Sequence, residues 1–251
     1  MLVVFGLPSF SQKSVKSFEL ELLKQFEEAR KWQEHPVIND TVDSYDSLAT
    51  VNIRILRQIA KFGTNNPAFL NYSFPSLNMY MDVVSSKDKK FRIYSWDTYT
   101  GGTMHEYYAI AQFLVSTGKV YTKFLTDTTG DIAGLWYSQI YTFKNKEKTY
   151  YFSIGNGKYS TMDLAQEVNV FTIEGNRLIA APIIKTKNGL TSIIHVDYNL
   201  FLLTDKTDRS ISFEESKKEL KIPLVDEKGK MTTRNIVYKF NGTYFEWNSV
   251  E

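Results

Sequence analysis

A switch in hydrophobic period near Ser85 constrains the fold of this chain more than any other feature. Before it, apolar residues recur at helical spacing, first as Phe18, Leu22, Phe26 and Ala29, then as Leu48, Val51, Ile55, Ile59 and Phe62. Residues three and four apart share one helical face, so each run predicts an amphipathic helix. Leu23 and Trp32 broaden the first stripe, while Glu19, Glu21, Lys24 and Glu27 are assigned to its solvated face. Its acidic beginning and basic end suit the helix dipole. His35-Pro36 is expected to end it, because proline disfavours helical backbone at the residue before it. Asp46 and Ser47 are the capping candidates of the second helix, and Gly63 is placed for a left-handed C-terminal cap. Thr64–Pro75 reads as loop, and Leu77–Val84 fits helix and strand equally.

After Ser85 the period is two. Phe91, Ile93 and Ser95 alternate with Arg92, Tyr94 and Trp96, while Leu135, Tyr137, Gln139, Tyr141 and Phe143 line one face of another strand. Tyr150, Phe152 and Ile154 alternate in the next. Asn156-Gly157, Gly175-Asn176, Asn188-Gly189 and Asn241-Gly242 read as tight turns, since Gly and Asn tolerate positive φ. Val168–Ile173 with Arg177–Ala181, and Ile236–Phe240 with Thr243–Trp247, are the clearest hairpins. Roughly ten strands and no long helix in this region predict an α+β fold. N-terminal amphipathic helices pack on a large antiparallel β region built as a sandwich, open barrel or curved sheet. The expected organisation is a helical segment over 12–84 and a β region over 85–251, joined as one folding unit. The Asp-Thr-(x)-Thr-Gly turns at Asp97 and Asp127 are not a repeat; Asx-turn chemistry explains both.

Composition narrows the function. Among 251 residues, Lys and Arg exceed Asp and Glu by 30 − 28 = 2. That balance supplies no drive toward nucleic acid. Cysteine is absent, which removes disulfides, zinc–thiolate and iron–sulfur sites, and thiol catalysis. No apolar run reaches the ~18 residues of a membrane span. The uncharged opening MLVVFGLPSFS instead reads as the latter part of a secretory signal peptide covering residues 1–11. An apolar stretch gives way to small residues around Ser9-Phe10-Ser11, and polar sequence follows from Gln12. The basic region that normally precedes such a stretch is missing, as it would be if translation began upstream of Met1. The expectation is a periplasmic or secreted protein.

Candidate chemistry is concentrated in one turn, Tyr94 to Glu106. Trp96 and Tyr99 are candidates to stack on a sugar ring or other flat ligand, with Asp97 bonding its hydroxyls. Pairing of the flanking strands brings Asp97 toward His105, and a carboxylate that accepts from an imidazole N–H raises its basicity. Asp97, His105 and Glu106 are therefore the acid–base candidates. Ser95 is a weak nucleophile candidate, because no Gly-x-Ser-x-Gly elbow is present. The bland reading is a hairpin whose aromatic side chains pack and whose Asp and Thr side chains satisfy the turn. His195 and Asp197, two apart on a strand, share a face. Three His and no Cys leave a transition-metal site undersupplied, and neither a metal nor a cofactor is expected. Asp127–Asp131 lacks the EF-hand spacing, and Gly155–Lys158 lacks the Walker spacing.

The stretch Phe91–Thr98 followed by Thr100–His105 resembles a segment of uncharacterised secreted bacterial (cell-envelope) proteins of unknown function. Their C-terminal hairpins are also similar to Tyr238–Phe245. The resemblance implies export and a shared β-rich fold, and carries over no functional residue. The leading expectation is a non-catalytic protein that binds a small ligand, a glycan or an envelope protein. The alternative is a hydrolase acting on an envelope polymer through Asp97, His105 and Glu106.

Overall fold

A computed structural model describes residues 14–34, 44–126, 133–146, 148–203 and 209–251. The expected leader, His35 and the Asp127–Asp131 turn lie outside those residues. Helix α1 spans Val15–Glu34 and α2 spans Ser44–Gly63. The first begins before its apolar stripe, because the Ser14 hydroxyl accepts from the Ser17 N–H at 3.1 Å and so caps it. No acidic side chain then falls in its first turn, contrary to the expectation from its dipole.

Glu19 also departs from expectation. It is 2% exposed, and its carboxylate accepts from the Tyr72 hydroxyl at 2.6 Å and the Ser76 N–H at 2.7 Å. A buried carboxylate persists only with such partners. At the end of α2 the left-handed residue is Asn65, with φ 60°, rather than Gly63. Gly63 is small because a Cβ there would meet the Thr122 methyl at 3.1 Å.

Fifteen strands among the described residues form three sheets. The first has the order β1 (Asp82–Ser85), β2 (Phe91–Asp97), β3 (Tyr107–Leu114) and β4 (Val120–Phe124). The middle sheet runs β11 (Ile193–Asn199), β7 (Asp163–Glu174), β6 (Thr149–Lys158) and β5 (Trp136–Lys144), with β8 (Arg177–Ala180) paired to β7. The outer sheet begins with β10 (Gly189–Thr191), β9 (Ile184–Thr186) and β15 (Phe245–Val250). It continues through β14 (Met231–Phe240), β13 (Glu219–Val225) and β12 (Ser212–Glu214). Pairing is antiparallel except between β15 and β9, which run parallel.

These elements stack as helices, first sheet, middle sheet and outer sheet. Tyr94, Trp96 and Ile110 pack under the helices, whereas Phe91, Ile93 and Ala111 face Tyr137, Ile140 and Tyr151 of the middle sheet. Phe152, Ile154 and Val168 on the other face of the middle sheet meet Phe213, Leu220 and Phe245 of the outer sheet. The architecture is α+β, as the change of period predicts.

Local departures have physical causes. Tyr137 pairs with Gly155 but Gln139 pairs with Ile154, so Ser138 is an extra residue. This bulge turns Tyr137 and Ile140 to one face, while Tyr141 and Phe143 join the opposite core, which breaks the single five-residue face expected for β5. Asn156-Gly157 is not a turn. It lies inside β6, where Asn156 pairs with Trp136 and Gly157 with Ala165. Both expected hairpins form, as Glu174 pairs with Arg177 and Phe240 with Phe245. The second is closed by four residues, with Asn241 Oδ1 accepting from the Thr243 and Tyr244 N–H groups at 3.0 and 3.1 Å.

Candidate functional site

The Trp96–Glu106 turn is assembled by three elements. Trp96 lies near the end of β2 beneath the helices, 2% exposed, and its indole N–H donates to Asn52 Oδ1 of α2 at 2.8 Å. Asn52 Nδ2 in turn donates to the Thr98 carbonyl at 2.8 Å. The Trp96 ring is thus a core anchor, wedged edge-on between Phe26 and Tyr108, and presents no face to a ligand. Tyr99 is partly buried against the same core at φ 61°. Its N–H donates to Asp97 Oδ1 at 2.8 Å, which closes the Asx turn.

Asp97 and His105 do meet. Asp97 Oδ2 lies 2.5 Å from His105 Nδ1, and the side chains are 22% and 31% exposed. The third member is Lys158 of β6, whose Nζ lies 3.0 Å from His105 Nε2. An ammonium has no lone pair, so it donates and Nε2 accepts; Nδ1 therefore carries the proton given to Asp97. The His105 N–H also donates to the Lys158 carbonyl at 2.9 Å, and the His105 ring stacks on Tyr107 at 6.0 Å. The result is a relay, carboxylate to imidazole to ammonium, whose basic lone pair is already occupied.

The other two acid–base and nucleophile candidates point elsewhere. Glu106 Oε2 accepts from the Thr100 hydroxyl at 2.5 Å. Ser95 is fully buried, and its oxygen accepts from the Tyr137 N–H at 2.9 Å. It joins the first and middle sheets and is closed to substrate.

His195 and Asp197 share a face as expected and meet a third residue, Glu167. His195 Nε2 lies 2.8 Å from Asp197 Oδ1 and its Nδ1 lies 3.0 Å from Glu167 Oε2. Burial alone lowers the affinity of this imidazole for a proton. The hydrogen bonds and charges of Asp197 and Glu167 outweigh it and raise the pKa above its ordinary value. Asn169 Nδ2 donates to the other Glu167 oxygen at 2.7 Å, and the Tyr159 ring lies over His195 at 6.3 Å. Among the described residues no group of three His, Cys, Asp or Glu side chains is placed to hold a metal ion.

A groove of about 970 Å³ is lined by β9, β10, the start of β11, and residues of β14 and β15. Trp247 shares a face with the buried Phe245, yet it is 62% exposed and lies outside the core shared by the middle and outer sheets. Tyr238 and Ile194 pass from the shared core toward the groove, and Leu190 and Ile193 complete its apolar floor. Lys185, Lys187, Asn188 and Glu246 flank it, and their side chains have no protein partner among the described residues. Sequence reading missed this site because Trp247 sits in an ordinary hairpin pattern. Lys158 and Asn52 were missed because each acts across sheets or between helix and sheet, and Glu167 because it meets His195 only through the pairing of β7 with β11, which are distant in sequence.

No protein-family model matches the chain, and no curated protein does. Among the described residues no helix is long and apolar enough to cross a membrane.

Proposed function

We propose that this chain is an exported, non-catalytic protein that binds a glycan along the Trp247 groove. The observation that carries the reading is an indole exposed on an apolar floor and flanked by unpaired lysine, amide and carboxylate side chains. A pyranose ring presents an apolar face to stack on Trp247 and hydroxyls at its rim for Lys185, Asn188 and Glu246. A purely apolar partner would leave those polar groups dehydrated and unsatisfied. The Asp97–His105–Lys158 relay supports the same reading from the other side, since its imidazole offers no free base. The order of apolar, small and polar residues at the N-terminus supports export, and N-terminal sequencing of the chain from its native cell is expected to find a start near Gln12.

Affinity electrophoresis through soluble envelope polysaccharides tests the binding. At least one polysaccharide is expected to retard the wild-type chain, and Trp247→Ala to weaken that binding tenfold or more, about 1.4 kcal/mol, without loss of stability. Unchanged retardation of Trp247→Ala, or no retardation by any polysaccharide, overturns the proposal. Release of reducing ends that is lost in Asp97→Asn would establish the hydrolase in its place.

A further inference from the structure

A second cavity, about 230 Å³, lies between the end of β4 and the middle sheet. Its polar lining comes chiefly from Tyr137, Tyr159, Glu167 and Asn169, and Leu125 and Leu135 supply apolar wall. Adjacent pairing explains the arrangement: Tyr137 of β5 pairs with Gly155 of β6, which pairs with Glu167 of β7. A Cβ on Gly155 would come within 3.4 Å of the Tyr137 ring and 2.8 Å of Leu135. Glycine at that position lets the phenol lie across β6 toward the carboxylate.

Two features of the cavity point to a ligand. Tyr137 is only 4% exposed, yet among the described residues its hydroxyl has no hydrogen-bond partner and is left facing the cavity. Among the described residues no lysine or arginine lines the cavity. The acidic cluster behind it holds two carboxylates, Glu167 and Asp197, on a single imidazole, so one negative charge remains even when His195 is protonated. The negative field of Glu167 also raises the phenol pKa values of Tyr137 and Tyr159, second in each case to burial.

We propose that this cavity binds a small organic ammonium ion, with Glu167 as counter-ion and the Tyr137 and Tyr159 rings as its aromatic walls. Aromatic faces attract a cation through the ring quadrupole, and the attraction strengthens where water is excluded. The Tyr137 hydroxyl serves as donor or acceptor to a polar substituent on the ligand. A neutral ligand of the same shape would fill the walls but leave the residual charge of the cluster uncompensated. A cavity of this size admits a few heavy atoms and excludes a glycan, so the site is separate from the Trp247 groove.

Calorimetric titration with choline, and with its uncharged carbon isostere 3,3-dimethyl-1-butanol, tests this inference on the full chain. Choline is expected to bind saturably, and the isostere at least tenfold more weakly. Glu167→Gln, which keeps the shape of the side chain, is expected to weaken choline tenfold or more. Should Glu167→Gln fail to fold, Tyr159→Ala at the cavity wall serves instead and must show the same loss. Equal binding of the two probes, an unchanged affinity in the variant that folds, or the absence of saturable choline binding overturns the proposal. Trp247→Ala is expected to leave choline affinity unchanged; a parallel loss would show one site where two are proposed.

Discussion

The Lys158 ammonium, 3.0 Å from His105 Nε2, turns what reads as an acid–base pair into a closed hydrogen-bonded chain. The same two residue types behave differently at His195, where both ring nitrogens face carboxylates. That environment has a consequence for stability. A histidine whose pKa is raised on folding stabilises the native state fully below its unfolded value, 6.5, and loses that contribution as pH rises through the folded value. The urea-unfolding free energy of the wild type is therefore expected to exceed that of His195→Gln most near pH ~6 and to approach it as pH rises toward ~8. A difference that does not change with pH would show that His195 contributes through packing alone. Asp97 and His105 were legible in the sequence as partners, because eight residues across a hairpin bring them together. Lys158 was not, since it comes from a different sheet.

At the scale of the element, β5 and β6 show how one local irregularity sets the interior. The bulge at Ser138 directs Tyr137 toward the cavity, and Gly155 and Gly157 provide the room for Leu135, Tyr137 and Tyr159 over β6. Gly155→Ala places a Cβ 2.8 Å from Leu135 Cδ1 and 3.1 Å from Leu135 Cβ, and the latter contact cannot be relieved by a side-chain rotation. The expected cost is about 1–3 kcal/mol, measured as a lower urea midpoint at unchanged slope; a neutral or stabilising effect would mean that Leu135 moves freely. Edge strand β11 shows the opposite device. The Thr191 hydroxyl accepts from the Ile193 N–H and donates to the Ile193 carbonyl, each at 3.1 Å. At the other end the Asn199 N–H donates to the Gly229 carbonyl at 2.8 Å. Both ends of the edge are thereby blunted against pairing with another chain.

On the scale of the whole molecule, the helices and three sheets are joined through shared layers. Both faces of the first sheet are buried, one under α1 and α2 and the other on the middle sheet. Removing the helices would expose Tyr94, Trp96 and Ile110 together, so they are expected to unfold with the sheets in a single transition. Far-ultraviolet circular dichroism and tryptophan fluorescence should give coincident urea curves; an early helical phase would separate residues 12–84 as an independent unit. Periodicity alone determined the α+β class, both helices and the clearest hairpins, because burying one side of a helix or strand imposes its own repeat on the chain. It placed Glu19 in solvent and offered Trp96 to a ligand, because a repeat identifies a face without saying what covers it. Tertiary structure alone decided that Trp96 anchors the core while Trp247 stands exposed. Both aromatics sit on alternating strands, and they differ in whether another layer extends far enough to cover them.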